Sequence, residues 1–149
     1  MKKAITILML LSFAFLTSCT ETKNPMDIAL AFCDGYPLDA TVYYSSAAED
    51  ENGYIDTEML MTIFSINNHP VNDYALVLYG KVSTVRELGV FITRNSNERM
   101  KVTELATNRI SFLESFVDGE GFIKKYRTVT VYGFVDDASR AEWLLDNLI

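Results

Sequence analysis

The sequence predicts an α+β fold, a small antiparallel sheet of about three to four strands packed with helices, the longest near residues 97–117. Two alternating runs, 73–79 and 85–93, are separated by a short turn-like stretch. So short a connection suits an antiparallel pair, since a parallel crossover needs a dozen or more residues. Val102, Leu105, Ala106, Ile110, Leu113, Phe116 and Val117 then recur at helical spacing, which predicts an amphipathic helix against the sheet. A further alternating run and a last helix follow, so strands and helices are mixed without a strict βαβ order. The chain has 149 residues, 49% hydrophobic and 22% charged. That suffices for one core, and it excludes both a disordered chain and a polytopic membrane protein.

The N-terminus reads as an address. Lys2 and Lys3 precede an apolar run over 4–15 broken only by Thr6 and Ser12. Leu16-Thr17-Ser18-Cys19 then resembles the lipobox of bacterial lipoproteins: an aliphatic residue, two small ones, and the Cys that receives a diacylglyceryl group. The resemblance implies removal of residues 1–18 as a signal peptide and lipidation of Cys19. The product would be lipid-anchored to the cell membrane on its extracytoplasmic side. Two acyl chains suffice for stable anchoring, where one binds only marginally. Residues 19–25 form the lipidated Cys and a short tether, and 26–149 a single domain. Without Lys2 and Lys3 the chain carries 11 basic against 20 acidic residues, a formal charge of −9. A surface of that average charge repels anionic lipid and nucleic acid, so no nucleic-acid partner is expected.

Along the domain, Asn24 and Pro25 suit a helix start and Gly35 its end. Residues 41–45, rich in Tyr and Val, suggest a strand. An acidic loop follows at 49–53. Asp56 then caps a helix running to about Ser65, with Ile55 and Leu60 as a hydrophobic staple. In 73–79, Tyr74, Leu76 and Leu78 share one face while Ala75, Val77 and Tyr79 share the other. Apolar residues on both faces predict an interior strand, covered on both sides or rimmed by aromatics. The stretch 80–84 reads as a turn, and 85–93 places Leu88, Val90 and Ile92 on one face. Asn95 or Asn97 opens the long helix, with Glu98 positioned for a capping box, and Asp118-Gly119 closes it. One strand, 127–135, is read after that helix. Asp136 or Asp137 caps a last helix whose Ala141, Leu144, Leu145 and Leu148 face inward.

Few residues suggest chemistry. His69 is the sole imidazole, next to Pro70 in a polar loop, which excludes a multi-His zinc site. No Gly-x-Ser-x-Gly elbow or glycine-rich phosphate loop is present. With Cys19 acylated, Cys33 has no partner for a disulfide, and Ala29, Leu30 and Phe32 around it predict a buried hydrophobe. The stretch 48–59 looks like a calcium-binding loop aligned on Gly53, with Asp50, Asn52, the Tyr54 carbonyl and Asp56 in ligand positions. Its first and last ligands would be Ala48 and Met59, so about half of the oxygen cage is missing, and Glu58 falls one position early. Turn and capping chemistry explains the same letters. The pairs Asp136-Asp137 and Asp118 with Glu120 flank helix ends, where acids cap. Tyr36, Tyr43, Tyr44 and Tyr54 are the candidates for an exposed aromatic patch.

Arg86-Glu87-Leu88-Gly89-Val90-Phe91, the long helix 98–116, a Tyr-containing strand, and Asp136-Asp137-Ala138-Ser139 opening a last helix together resemble a family of small lipoproteins. The likeness covers about 71–149, and the family, from clostridial-type Firmicutes, is a domain of unknown function. It implies a lipoprotein and supplies no activity or site. The expected function is therefore a non-catalytic binding or assembly module of the cell envelope, without catalytic, cofactor or metal residues. Its partners would be the bilayer, through Cys19, and an envelope protein with a basic surface. The alternative is a small envelope hydrolase or the accessory subunit of an envelope enzyme.

Overall fold

The structure, a computed structural model, describes residues 23–36, 39–68, 71–81 and 84–149. The elements run α1 (Pro25–Gly35), β1 (Thr41–Tyr44), α2 (Thr57–Phe64), β2 (Tyr74–Lys81), β3 (Thr84–Ile92), α3 (Ser96–Glu114), β4 (Glu120–Lys125), β5 (Val129–Val135) and α4 (Ala138–Leu148). The five strands form one antiparallel sheet in the order β1-β2-β3-β5-β4. The fold is α+β.

Each helix starts where a side chain accepts from an otherwise unpaired N–H. Asn24 Oδ1 takes Met26 N at 2.9 Å, Asp56 Oδ1 takes Met59 N at 2.6 Å, Asn95 Oδ1 takes Glu98 N at 2.9 Å, and Asp137 Oδ1 takes Arg140 N at 2.9 Å. At α3 it is Asn95, not Asn97, that caps. Glu98 turns back to the Arg94 N–H (2.7 Å), one residue before the position a capping box uses. Pro25 is buried in the first turn of α1 and so belongs to the fold.

Period-two alternation sends side chains to two separate cores. On one face Ala75, Val77, Leu88, Val90, Val129 and Val131 pack with Ile28, Ala29 and Phe32 of α1 and with Ala141 and Leu145 of α4. On the other, Tyr74, Leu76, Phe91 and Tyr132 pack with Leu60 and Phe64 of α2 and with Val102, Leu105 and Ala106 of α3. The sheet is covered on both sides, and all of β5 is buried. Gly89 permits this packing, because a Cβ there would lie 2.2 Å from Tyr132 Cε1, whose ring crosses β3.

Three expectations are corrected. The sheet has five strands, not three to four, and two of them follow the long helix where one was read. The missed strand, β4, is Glu-Gly-Phe-Ile-Lys-Lys with only Phe122 buried. An edge strand needs little apolar surface, and charge there discourages further pairing. Of the stretch 80–84, read as a turn, residues 80, 81 and 84 are strand, since Gly80 pairs with Val85 and Lys81 with Thr84, while 82–83 lie outside the described residues. The long helix ends at Glu114, where Ser115 Oγ donates to the Phe112 carbonyl (2.6 Å). Phe116, assigned to the buried stripe, is therefore 72% exposed.

Candidate functional site

A concavity with mixed chemistry lies along the outer edge of β1, about 1060 Å³ between α1 and the acidic loop. Met26, Leu30 and Val42 supply apolar surface, and Tyr44, Asp50 and Glu51 the polar side. Leu30, expected inside, is 46% exposed and lies open to it. Tyr44 N–H points away from β2 and donates to the Gly53 carbonyl (3.0 Å), while Ser45 N–H turns inward to the Tyr74 carbonyl (3.0 Å). By that alternation Val42 directs its N–H and C=O outward, toward the concavity. The loop is held close by Glu51, whose Oε2 accepts from the Tyr44 hydroxyl and the Ala48 N–H, both at 3.1 Å. The bond to Glu51, burial and the negative charge raise the Tyr44 hydroxyl above its ordinary range. Gly53 lets the loop lie on the Tyr44 ring, where a Cβ would approach to 2.2 Å.

The resemblance of 48–59 to a calcium loop dissolves into capping and turn chemistry. Asp56 caps α2, Glu51 closes the loop on Tyr44, and Met59 is exposed on α2. Among the described residues no three His, Cys, Asp or Glu side chains are placed to hold a metal ion.

A second polar centre was not foreseen from the sequence. Glu87, 1% exposed, lies between β3 and α3. Its two oxygens accept from Arg109 Nε and Nη2, each at 2.8 Å, and Oε1 also takes the Tyr132 hydroxyl at 3.0 Å. Arg109 Nη1 continues to the Ile63 carbonyl at 3.0 Å, tying α2 to α3. Burial opposes the Arg109 charge, but the bonds and charge of Glu87 outweigh it and raise the guanidinium. Burial first, then the Glu87 carboxylate, push the Tyr132 hydroxyl well above its ordinary range. Every polar group of Glu87 is committed, so the cluster orders the α2/α3 face. Its trace in the sequence is Arg109 itself, which stands at stripe spacing after Val102 and Leu105.

Of the carboxylates paired in the sequence at 118–120 and 136–137, three make bonds around the start of α4. Asp136 Oδ1 accepts from Arg86 Nε at 2.8 Å, and the Arg86 guanidinium stands 5.8 Å from the Phe134 ring centroid. Glu120 Oε2 takes the Ala138 N–H at 2.8 Å. Asp118 is exposed. The expected tyrosine patch does not form. Tyr36 is buried and stacked on Phe32 (5.3 Å), its hydroxyl accepting from Asp137 N–H at 3.1 Å, while Tyr43 and Tyr44 are half-buried. Cys33 is half-buried against the α1/α4 core, and burial together with Asp34 raises its thiol, away from the reactive thiolate. Cys19 with its lipobox, His69 and Pro70 lie outside the described residues.

No family model, curated protein or solved structure matches the chain. The site is thus read from its own chemistry: an apolar floor, one outward-facing backbone pair and an acidic rim. No helix among the described residues is long and apolar enough to cross a membrane.

Proposed function

We propose that the chain is an extracytoplasmic lipoprotein, anchored through Cys19, whose domain is a non-catalytic binding or assembly module of the cell envelope. The concavity along β1 carries the second half of this reading. An extended basic segment of an envelope partner lies along the strand there. Its backbone meets Val42, an apolar side chain rests on Met26 and Leu30, and Lys or Arg faces Asp50 and Glu51. Such recognition weakens with salt, because the acidic rim is solvent-exposed. The lipobox at 16–19 supports the anchor. Two chains on one cysteine hold the domain without help from its average charge.

Metabolic labelling with a fatty-acid analogue tests the anchor. The wild-type chain takes up label and Cys19→Ala does not. Equal labelling of the two removes the lipoprotein assignment.

A further inference from the structure

The free edge of β1 is open at one end and closed at the other. Tyr44 N–H points outward, so by alternation the N–H and C=O groups of Val42 and Ala40 also point outward. Among the described residues no hydrogen bond reaches those groups. At Tyr44 the outward place is already taken. The Gly53 carbonyl accepts Tyr44 N–H (3.0 Å), Ala47 N–H returns to the Tyr44 carbonyl (3.1 Å), and Gly53 is buried. A strand added to β1 therefore pairs along 40–42 and cannot continue past 44. The stop it meets is acidic. Asp50 and Glu51 are exposed and line the concavity with Asn52 and Gly53. Glu51 Oε2 is engaged by the Tyr44 hydroxyl and the Ala48 N–H, while Oε1 and both Asp50 carboxylate oxygens make no hydrogen bond among the described residues. Along the side, Met26 and Leu30 of α1 stand one helical turn apart. Ala40 and Val42 pack toward the same core as α1, so side chains of residues set opposite them would share that face.

We propose that the segment bound at β1 is the N-terminus of its protein partner, running antiparallel to the strand with its free α-ammonium group against Asp50 and Glu51. This rests on the reading of the concavity as a binding site. Charge selects the direction. An antiparallel segment begins at the loop, whereas a parallel one ends there and would bring a terminal carboxylate to two others. Asp39, exposed one residue before Ala40, makes the open end unfavourable for a carboxylate as well. An ammonium group carries three donors and no acceptor, which suits the unengaged oxygens of Asp50 and Glu51. A chain that starts at the loop also has no need to turn away from it. Alternation then places the side chains. The residue opposite Val42 and the next but one, opposite Ala40, lie on the side of Met26 and Leu30, while the residue between them points to the other face. The ligand class is thus an extended N-terminal segment with apolar residues two apart near its start, and any Lys or Arg beside them adds to the charge that the α-ammonium supplies.

Peptide arrays test this. Hexapeptides varied at their first four residues are attached through their C-termini, one set with a free amino group and a matching set N-acetylated. Both sets are probed with the full-length chain in detergent, and the best-bound sequences are remeasured in solution by fluorescence anisotropy. Free-amine peptides are expected to bind about tenfold or more tightly than their acetylated counterparts, because acetylation removes a charged donor. Asp50→Asn should narrow that gap, and Leu30→Asp should abolish binding of both forms. Leu30 is exposed, so its substitution leaves the core intact. Sequences that bind equally with and without the acetyl group, yet are lost in Leu30→Asp, overturn the N-terminal direction and leave the β1 edge as a binding site. Arrays in which no bound sequence is lost in Leu30→Asp overturn both.

Discussion

Arg109→Met is expected to destabilise the domain by about 3–5 kcal/mol, because it strands a carboxylate inside the α2/α3 core. Glu87 is buried and loses both Arg109 bonds at once, keeping only the Tyr132 hydroxyl. The Ile63 carbonyl also loses its donor. Glu87→Gln in the Arg109→Met background should recover much of the loss, since a neutral amide still accepts from Tyr132. Urea unfolding decides it. A variant as stable as the wild type would show that the pair is not holding this face.

Phe32→Ala should cost a further 3–5 kcal/mol or so by a different route, the opening of a cavity on the other side of the sheet. Phe32 is 0% exposed and stacked on Tyr36 within the α1/α4 core. α1 follows directly on the tether, so this substitution asks whether the first helix is integral to the fold. Leu30→Ala, two residues earlier on the exposed side, serves as the control and should change little. Denaturation midpoints measure both. A loss below about 1 kcal/mol for Phe32→Ala would mean that α1 is loosely docked.

What was legible in the sequence was the chemistry that closes within a few residues. Asn24, Asp56, Asn95 and Asp137 each bond an N–H two or three positions on, so two helix starts could be read from the letters and the other two narrowed to a pair of candidate caps each. The strand pair β2–β3 was legible because its alternation and short connection are local. β4 was not, since an edge strand buries so little that Glu120, Lys124 and Lys125 hide it. The Glu87–Arg109 pair joins residues 22 apart, and it forms only because α3 packs over β3. Phe116 obeyed the helical period and still fell outside, as periodicity does not say where a helix stops. The β1 concavity was out of reach for the same reason as the ion pair. It assembles residues 26–30, 40–44 and 50–53, and the last group had read as a loop resembling a cation site.

The binding assignment is tested most directly by photocrosslinking in living cells, from a photoreactive residue at Leu30 in the native lipoprotein. A matched probe at Trp143, exposed on α4, serves as the reference. The account predicts a discrete adduct from position 30 to an envelope protein, with the crosslinked peptide rich in Lys or Arg. It further predicts that Asp50→Lys abolishes this adduct without altering the fold, and that position 143 gives none. Adducts equally abundant from both positions, or an adduct from position 30 indifferent to Asp50→Lys, would contradict recognition at the β1 edge.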